Sequence, residues 1–278
     1  MQLAVILQLL LHHHLVIKNI KQADFQNGKT ACLFNKDAKE KYDMSKLSWD
    51  IYGTHYFHTG VHNCVLYLLR PDGIYQKGVA WSGVTGITVS PSGGESHKLY
   101  ADSMKYLNMY SMEDISGTLE AYTYPDEFAK CNGYASYGRG GRIAQQNRHL
   151  FGLCWQTVLG NDIDGEDHGY VLHFLYGVKA SPSSRPYKTR SNSPEAITFS
   201  WELSTMPVEV ENMKPTAYMT INSRKVDPQA LDYLENIIYG NDVVEPTLLL
   251  PTDIATIVGK AEEEEDPYTF VFLDRMGF

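Results

Sequence analysis

The chain has 278 residues, 24 basic and 33 acidic, for a formal charge of −9, and 43% of its residues are apolar. That length and apolar content suffice to bury a core, which excludes wholesale disorder. The acidic balance argues against a protein whose main task is gripping phosphate backbones. No run approaches the roughly 20 apolar residues of a membrane span, so no membrane partner is expected.

Residues 2–17 look like a signal peptide only at first sight, because no Lys or Arg precedes Lys18 and no small-residue cleavage site follows. His12, His13 and His14 are adjacent, and three neighbouring side chains do not converge easily on one metal ion. Residues 18–43 then carry six Lys against four acids, and the remainder after Asp43 carries −11. The composition changes at Met44, which reads as the true start of the protein, with a dispensable N-terminal arm as the alternative. Residues 1–43 therefore read as an extension outside the fold, residues 44–260 as one domain, and residues 261–278 as an acidic C-terminal segment.

From Thr54 onward the chain reads as strands rich in Tyr, Thr, Val, Ile and Phe. They are expected at Cys64–Leu69, Ile74–Trp81, Val84–Val89, Lys105–Tyr110 and Thr118–Thr123. Arg70-Pro71-Asp72-Gly73 fits a type I turn, and Ser90-Pro91-Ser92-Gly93-Gly94 a similar break. Further strands are expected at Leu150–Leu159, Tyr170–Tyr176, Ile197–Thr205 and Tyr218–Ile221. In Ile197–Leu203 apolar and polar residues alternate, which marks one buried and one wetter face. A short helical turn is expected over Pro125–Cys131. The one strong helix signal covers about 228–239: Asp227 as cap, Pro228 in the first turn, a stripe of Ala230, Leu231, Leu234, Ile237 and Ile238, and Gly240 to stop it. The fold class is mainly β: an antiparallel sandwich or barrel with one flanking helix and long loops.

Motifs for chemistry are scarce. Asn161–Asp167 is acidic, but aligning Gly165 on the invariant glycine of an EF-hand puts Gly160 first and Val171 last, and both fail as ligands. A polar hairpin turn is the plainer reading, with a calcium site of another kind as the alternative. Gly138-Arg139-Gly140-Gly141-Arg142 lacks the spacing of a phosphate loop and reads, with Arg148, as a surface loop. His149, His168 and His173 lie near Cys154 without a zinc spacing and read as structural. The four cysteines are widely spaced, as buried reduced thiols are. There is no nucleophile elbow and no assignable carboxylate pair. Nothing in the residues calls for a catalytic group, a metal or a cofactor.

Four long segments carry a resemblance: Val65–Glu95, Lys98–Phe128 (KLYADSMKYLNMYSMEDISGTLEAYTYPDEF), Phe151–Ser183 and Ser193–Val208. Together they are similar to the major tail (tail tube) proteins of long-tailed bacteriophages and related prophages, from about Met44 to about Asp242. Met44-Ser45-Lys46 with Trp49 resembles the family's usual opening. The extension before Met44, the Gly/Arg-rich Tyr134–Ile143 and the acidic end depart from the family's pattern.

The resemblance implies a virion subunit that forms stacked hexameric rings, the conduit through which double-stranded DNA leaves the capsid without being tightly held. It implies tape measure, tail terminator and distal tail proteins as partners, and a path from host cytoplasm to virion. Loops along the tube axis would join the rings, with Tyr134–Arg148 (Arg139, Arg142, Arg148) the first candidate and Asn161–Asp167 (Asp162, Asp164) the second. Glu120 and Glu202 are candidates to face the lumen. A carbohydrate-binding or adhesion sandwich is the alternative that the many aromatics allow, and a glycoside hydrolase is a third.

Overall fold

A computed structural model describes residues 48–185, 187, 189 and 196–259. The expected extension 1–43, the start at Met44, His12–His14 and the acidic segment 261–278 lie outside the described residues. The chain divides into two units, 1–49 and 50–278, and everything below concerns the second.

Its main sheet has eight antiparallel strands: β1 (Phe57–Leu68), β2 (Val79–Ala80), β3 (Val84–Gly93), β6 (Glu113–Ala121), β9 (Phe151–Asn161), β10 (Gly165–Ala180), β11 (Phe199–Ser204) and β12 (Tyr218–Asn222). The order is β2-β1-β9-β10-β11-β6-β3, with β12 also paired to β10. The sheet folds over one core. Leu66, Phe151, Leu153, Trp155 and Leu175 from one half meet Leu119, Trp201 and Leu203 from the other, with Trp81 and Phe128 between them. Trp201 is fully buried, its ring 5.0 Å from Phe128 and 5.8 Å from Trp81. Edge-to-face contacts of this kind add to plain burial.

A second core lies on the other side of β1, β9 and β10. Val65, Tyr67, Cys154, Leu172, Phe174 and Tyr176 pack there against Leu231, Leu234, Ile238 and Ile254. The strands between the two cores are apolar on both faces, which is why Cys64–Leu68 and Phe151–Trp155 are continuous apolar runs. β10 serves both halves. Its register slips between Leu175 and Val178, where Gly177 has φ +56° and a Cβ would strike the Met206 carbonyl oxygen. Only glycine makes that bend comfortably.

Helix α2 (Pro228–Ile238) forms as its sequence indicates: the Asp227 carboxylate accepts from the amides of Gln229 and Ala230 at 3.0 and 3.2 Å. The short turn α1 (Phe128–Cys131) also forms. Three expectations change. A further helix, α3 (Pro251–Val258), packs beside α2; its Thr, Ile and Val content hides it, and burial of Ile254 overrides propensity. Ile74–Trp81 contributes only Val79–Ala80 to the sheet, because Tyr75 turns inward and its hydroxyl accepts from the Gly177 amide at 3.0 Å. Ser90–Gly93 is no break but the end of β3. Among the described residues that strand forms a ladder with β6 alone, and an edge strand tolerates Pro91 with its missing donor. Cys64, Cys131 and Cys154 are buried free thiols, as expected, and burial pushes the first two up to about 12, while Cys32 lies outside the described residues.

Candidate functional site

Two surfaces stand out, and the strand pattern makes both. The first is the outer face of β3, β6 and β11. Inward residues Ile87, Leu119, Trp201 and Leu203 leave the alternate positions to solvent. Register aligns those in rows: Ser90 beside Ser116 beside Ser204, Thr88 beside Thr118 beside Glu202, and Gly86 beside Glu120 beside Ser200, with Asp114 opposite Ser92. The rows hold short hydroxyls and three carboxylates. Lys179 lies opposite Ser204 at the end of the β10 ladder. Glu120 and Glu202 are both exposed on this face, as the alternation anticipated. They sit diagonally on adjacent strands, a separation of roughly 7–8 Å that avoids two like charges directly opposite.

The second surface is the hairpin of β4 (Ser96–Ala101) and β5 (Met104–Tyr110). Among the described residues these strands pair with each other and with no other strand, and every residue in them except Asn108 is exposed. The exposed side chains include Leu99, Tyr100, Met104, Tyr106, Leu107, Met109 and Tyr110, with Met112 just beyond. At the tip Asp102 and Ser103 take φ +50° and +62°, the arrangement of a type I′ turn whose twist suits a hairpin. At the base the Ser111 amide donates to the Glu95 carbonyl at 3.0 Å and the Glu95 amide to the Ser111 hydroxyl at 2.9 Å. Sequence reasoning found β5 but missed the hairpin, since Asp-Ser is a weak turn signal beside Asn-Gly.

The remaining candidates serve the chain itself. Tyr134–Arg148 is not a strandless loop: β7 (Ala135–Ser136) pairs with β8 (Arg142–Ile143), and Arg139 is exposed at the Gly138–Gly140 tip. Arg142 binds the Asp126 carboxylate at 2.7 Å. Arg148 is no loop-tip group; it donates to the carbonyls of Ala180 at 2.9 Å and Cys131 at 3.5 Å, bolting this lobe to β10. Asn161–Asp167 is the β9–β10 turn, the plainer of the two readings. Asp162 accepts from the Gly53 amide at 3.0 Å and pairs with His55 at 2.9 Å, and these contacts lower its carboxyl to about 2. Asp164 pairs with His168 at 2.8 Å. No cluster of metal-ligating side chains occurs among the described residues. His173 is structural, its two nitrogens bonded to Thr157 (2.8 Å) and Tyr218 (2.6 Å) and its ring stacked on Trp155. Burial lowers it to about 4.

No protein-family model and no curated protein matches the chain. Among solved structures, a chain of the anti-feeding prophage (AFP) baseplate, determined by cryo-EM with six-fold symmetry, is similar at 10% identity and a TM-score of 0.30, covering 58% of this chain and 93% of that one.

Proposed function

We propose that this protein is a structural subunit of a phage or prophage tail, specifically a tail tube protein that assembles into stacked hexameric rings and forms a conduit for DNA. The hairpin is the observation that carries this reading. A two-stranded ribbon with seven exposed large apolar side chains has no folding role that would retain them, and apolar patches of this kind mark protein–protein contacts. A ribbon of two strands is also marginal alone and gains order by packing on a partner. Seating it on a second copy links subunits, and a heterologous contact that closes generates a ring.

The serine, threonine and carboxylate face supports the conduit. Carboxylates repel phosphates, and short hydroxyls give no cation for DNA to grip, so a wall of this composition lets a duplex slide. β3 has an open edge that a neighbouring copy's strand could continue, which would hide an otherwise exposed ladder. On this reading the role is architectural and not catalytic. The partners are further copies and other tail proteins, the tape measure, terminator and distal tail components among them, and the site of action is the virion.

Electron microscopy of the purified full chain tests the proposal. Rings or tubes with a central channel are expected. Monomers that bind glycans would replace it with the adhesion reading, which the exposed Tyr100, Tyr106 and Tyr110 would then serve. Mobility shift at low salt tests the conduit: sub-micromolar DNA binding that weakens steeply with salt would overturn it.

A further inference from the structure

The β4–β5 ribbon has two unlike faces. Register puts Ser96 beside Tyr110, Lys98 beside Asn108 and Tyr100 beside Lys105, while Leu99 meets Leu107 and His97 meets Met109 on the opposite side. Tyr106 is the extra residue where the register shifts, and alternation from Tyr110 and Asn108 sets it with the first group. One face is therefore aliphatic, and the other carries three exposed tyrosines and two lysines. Neither lysine has an ion pair among the described residues.

The matching chemistry lies where residues 50–57 cross the β9–β10 turn. The Gly53 amide donates to Asp162 at 3.0 Å, a Cβ on Gly53 would strike the Ile163 side chain, and the Tyr56 ring lies 5.4 Å from His168. These contacts gather Tyr52, Tyr56, Phe57 and Ile163, all exposed, on one surface. Residues 50–57 and 160–168 contain five carboxylates and no Lys or Arg. Asp162 and Asp164 are taken by His55 and His168, whereas Glu166 and Asp167 have no ion pair among the described residues. A basic aromatic ribbon and an acidic aromatic surface thus stand on the same chain. Both are exposed, so they do not cover each other within it.

We propose that the tyrosine–lysine face of one copy's hairpin seats on the acidic surface that residues 50–57 and the β9–β10 turn form on a second copy. The inference rests on the assembly reading above and names the two surfaces that it joins. Tyrosine rings supply contact area against Tyr52, Phe57 and Ile163 while their hydroxyls keep polar partners at the margin. Lys98 and Lys105 meet Glu166 and Asp167, and such pairs steer the approach and fix its register more than they add affinity. Charge also selects against the symmetric alternatives. Hairpin on hairpin would set lysines against lysines, and turn on turn would oppose carboxylates. The contact is therefore heterologous, and each added copy leaves one of the two surfaces free until the set closes.

Two full-length preparations, both carrying Cys32→Ser, test this: one has Tyr106→Cys and the other Ile163→Cys. They are mixed and treated with a flexible bis-maleimide, which finds the remaining native thiols buried. The mixed 106–163 dimer is expected to dominate over both like pairs. Lys98→Glu with Lys105→Glu should weaken association at low salt by about tenfold or more, because like charges then face each other. Adding Glu166→Lys and Asp167→Lys should restore it. All four positions are exposed, and thermal unfolding checks that each variant is folded. A mixed dimer no more frequent than the like pairs, or a charge swap that leaves folded protein unassociated, would overturn the inference. Rings seen without the mixed cross-link would overturn it and leave the tube reading intact. The mixed cross-link in open chains that never close would uphold it and count against the rings.

Discussion

Replacing Tyr106 and Met104 together by serine separates assembly from folding. The two side chains are 76% and 72% exposed, so about three quarters of each remains available to a partner. Burying such a side chain fully stabilises by about 1.5–3 kcal/mol, so the fraction left gives about 1–2 kcal/mol for each residue and about 2–4 kcal/mol for the pair. At about 1.4 kcal/mol per tenfold, association between copies should weaken by roughly 30- to 1,000-fold. The same change touches little inside the monomer, and a surface substitution of this type alters folding by about 0.5 kcal/mol or less. Sedimentation velocity across a concentration series measures the first quantity. Thermal unfolding at a dilution where both proteins are monomeric measures the second, since assembly itself raises Tm. Unchanged association would refute the assignment of the hairpin as an assembly element. A large fall in Tm with association intact would show that the hairpin belongs to the monomer's fold.

Other outcomes follow from the same geometry. Trp201→Ala should cost about 3–5 kcal/mol in denaturant unfolding, because it empties the centre of the aromatic cluster between the sheet halves. Glu120→Lys with Glu202→Lys should leave the fold intact and create salt-dependent DNA binding in a mobility shift, since both side chains lie on the exposed face; no gain of binding would count against that face as the conduit wall. The segment around Gly53 and His55 should be held most firmly between about pH 4 and 6.5. Asp162, lowered to about 2, loses its contribution as pH falls through that value. His55, raised by Asp162, contributes below its ordinary value and loses this as pH rises past its folded one. Hydrogen exchange at the Gly53 and His55 amides reads both limbs, and Asp162→Asn should flatten them.

Local pattern was enough for the class of fold and for several of its parts. Phe199–Ser204 alternates so cleanly that Trp201, Leu203 and the outward Glu202 are placed by period alone. α2 is announced by its cap, its proline and its stripe, all within a dozen residues. The tertiary structure decided the rest, because it depends on which distant segments meet. Alternation says that Glu120 and Glu202 point away from the core, but only the β6–β11 register puts them on one face with Ser116 and Thr118. Arg148 reads as a loop residue until Ala180, 32 positions on, supplies the carbonyl it binds. α3 exists because Ile254 finds a buried place beside α2, against the β-branched character of its own residues. The hairpin is the sharpest case. Its apolar strands look like core strands in the sequence, since a side chain's hydrophobicity does not say whether its partner lies within the same chain; the fold leaves them exposed because the core is already filled from other strands.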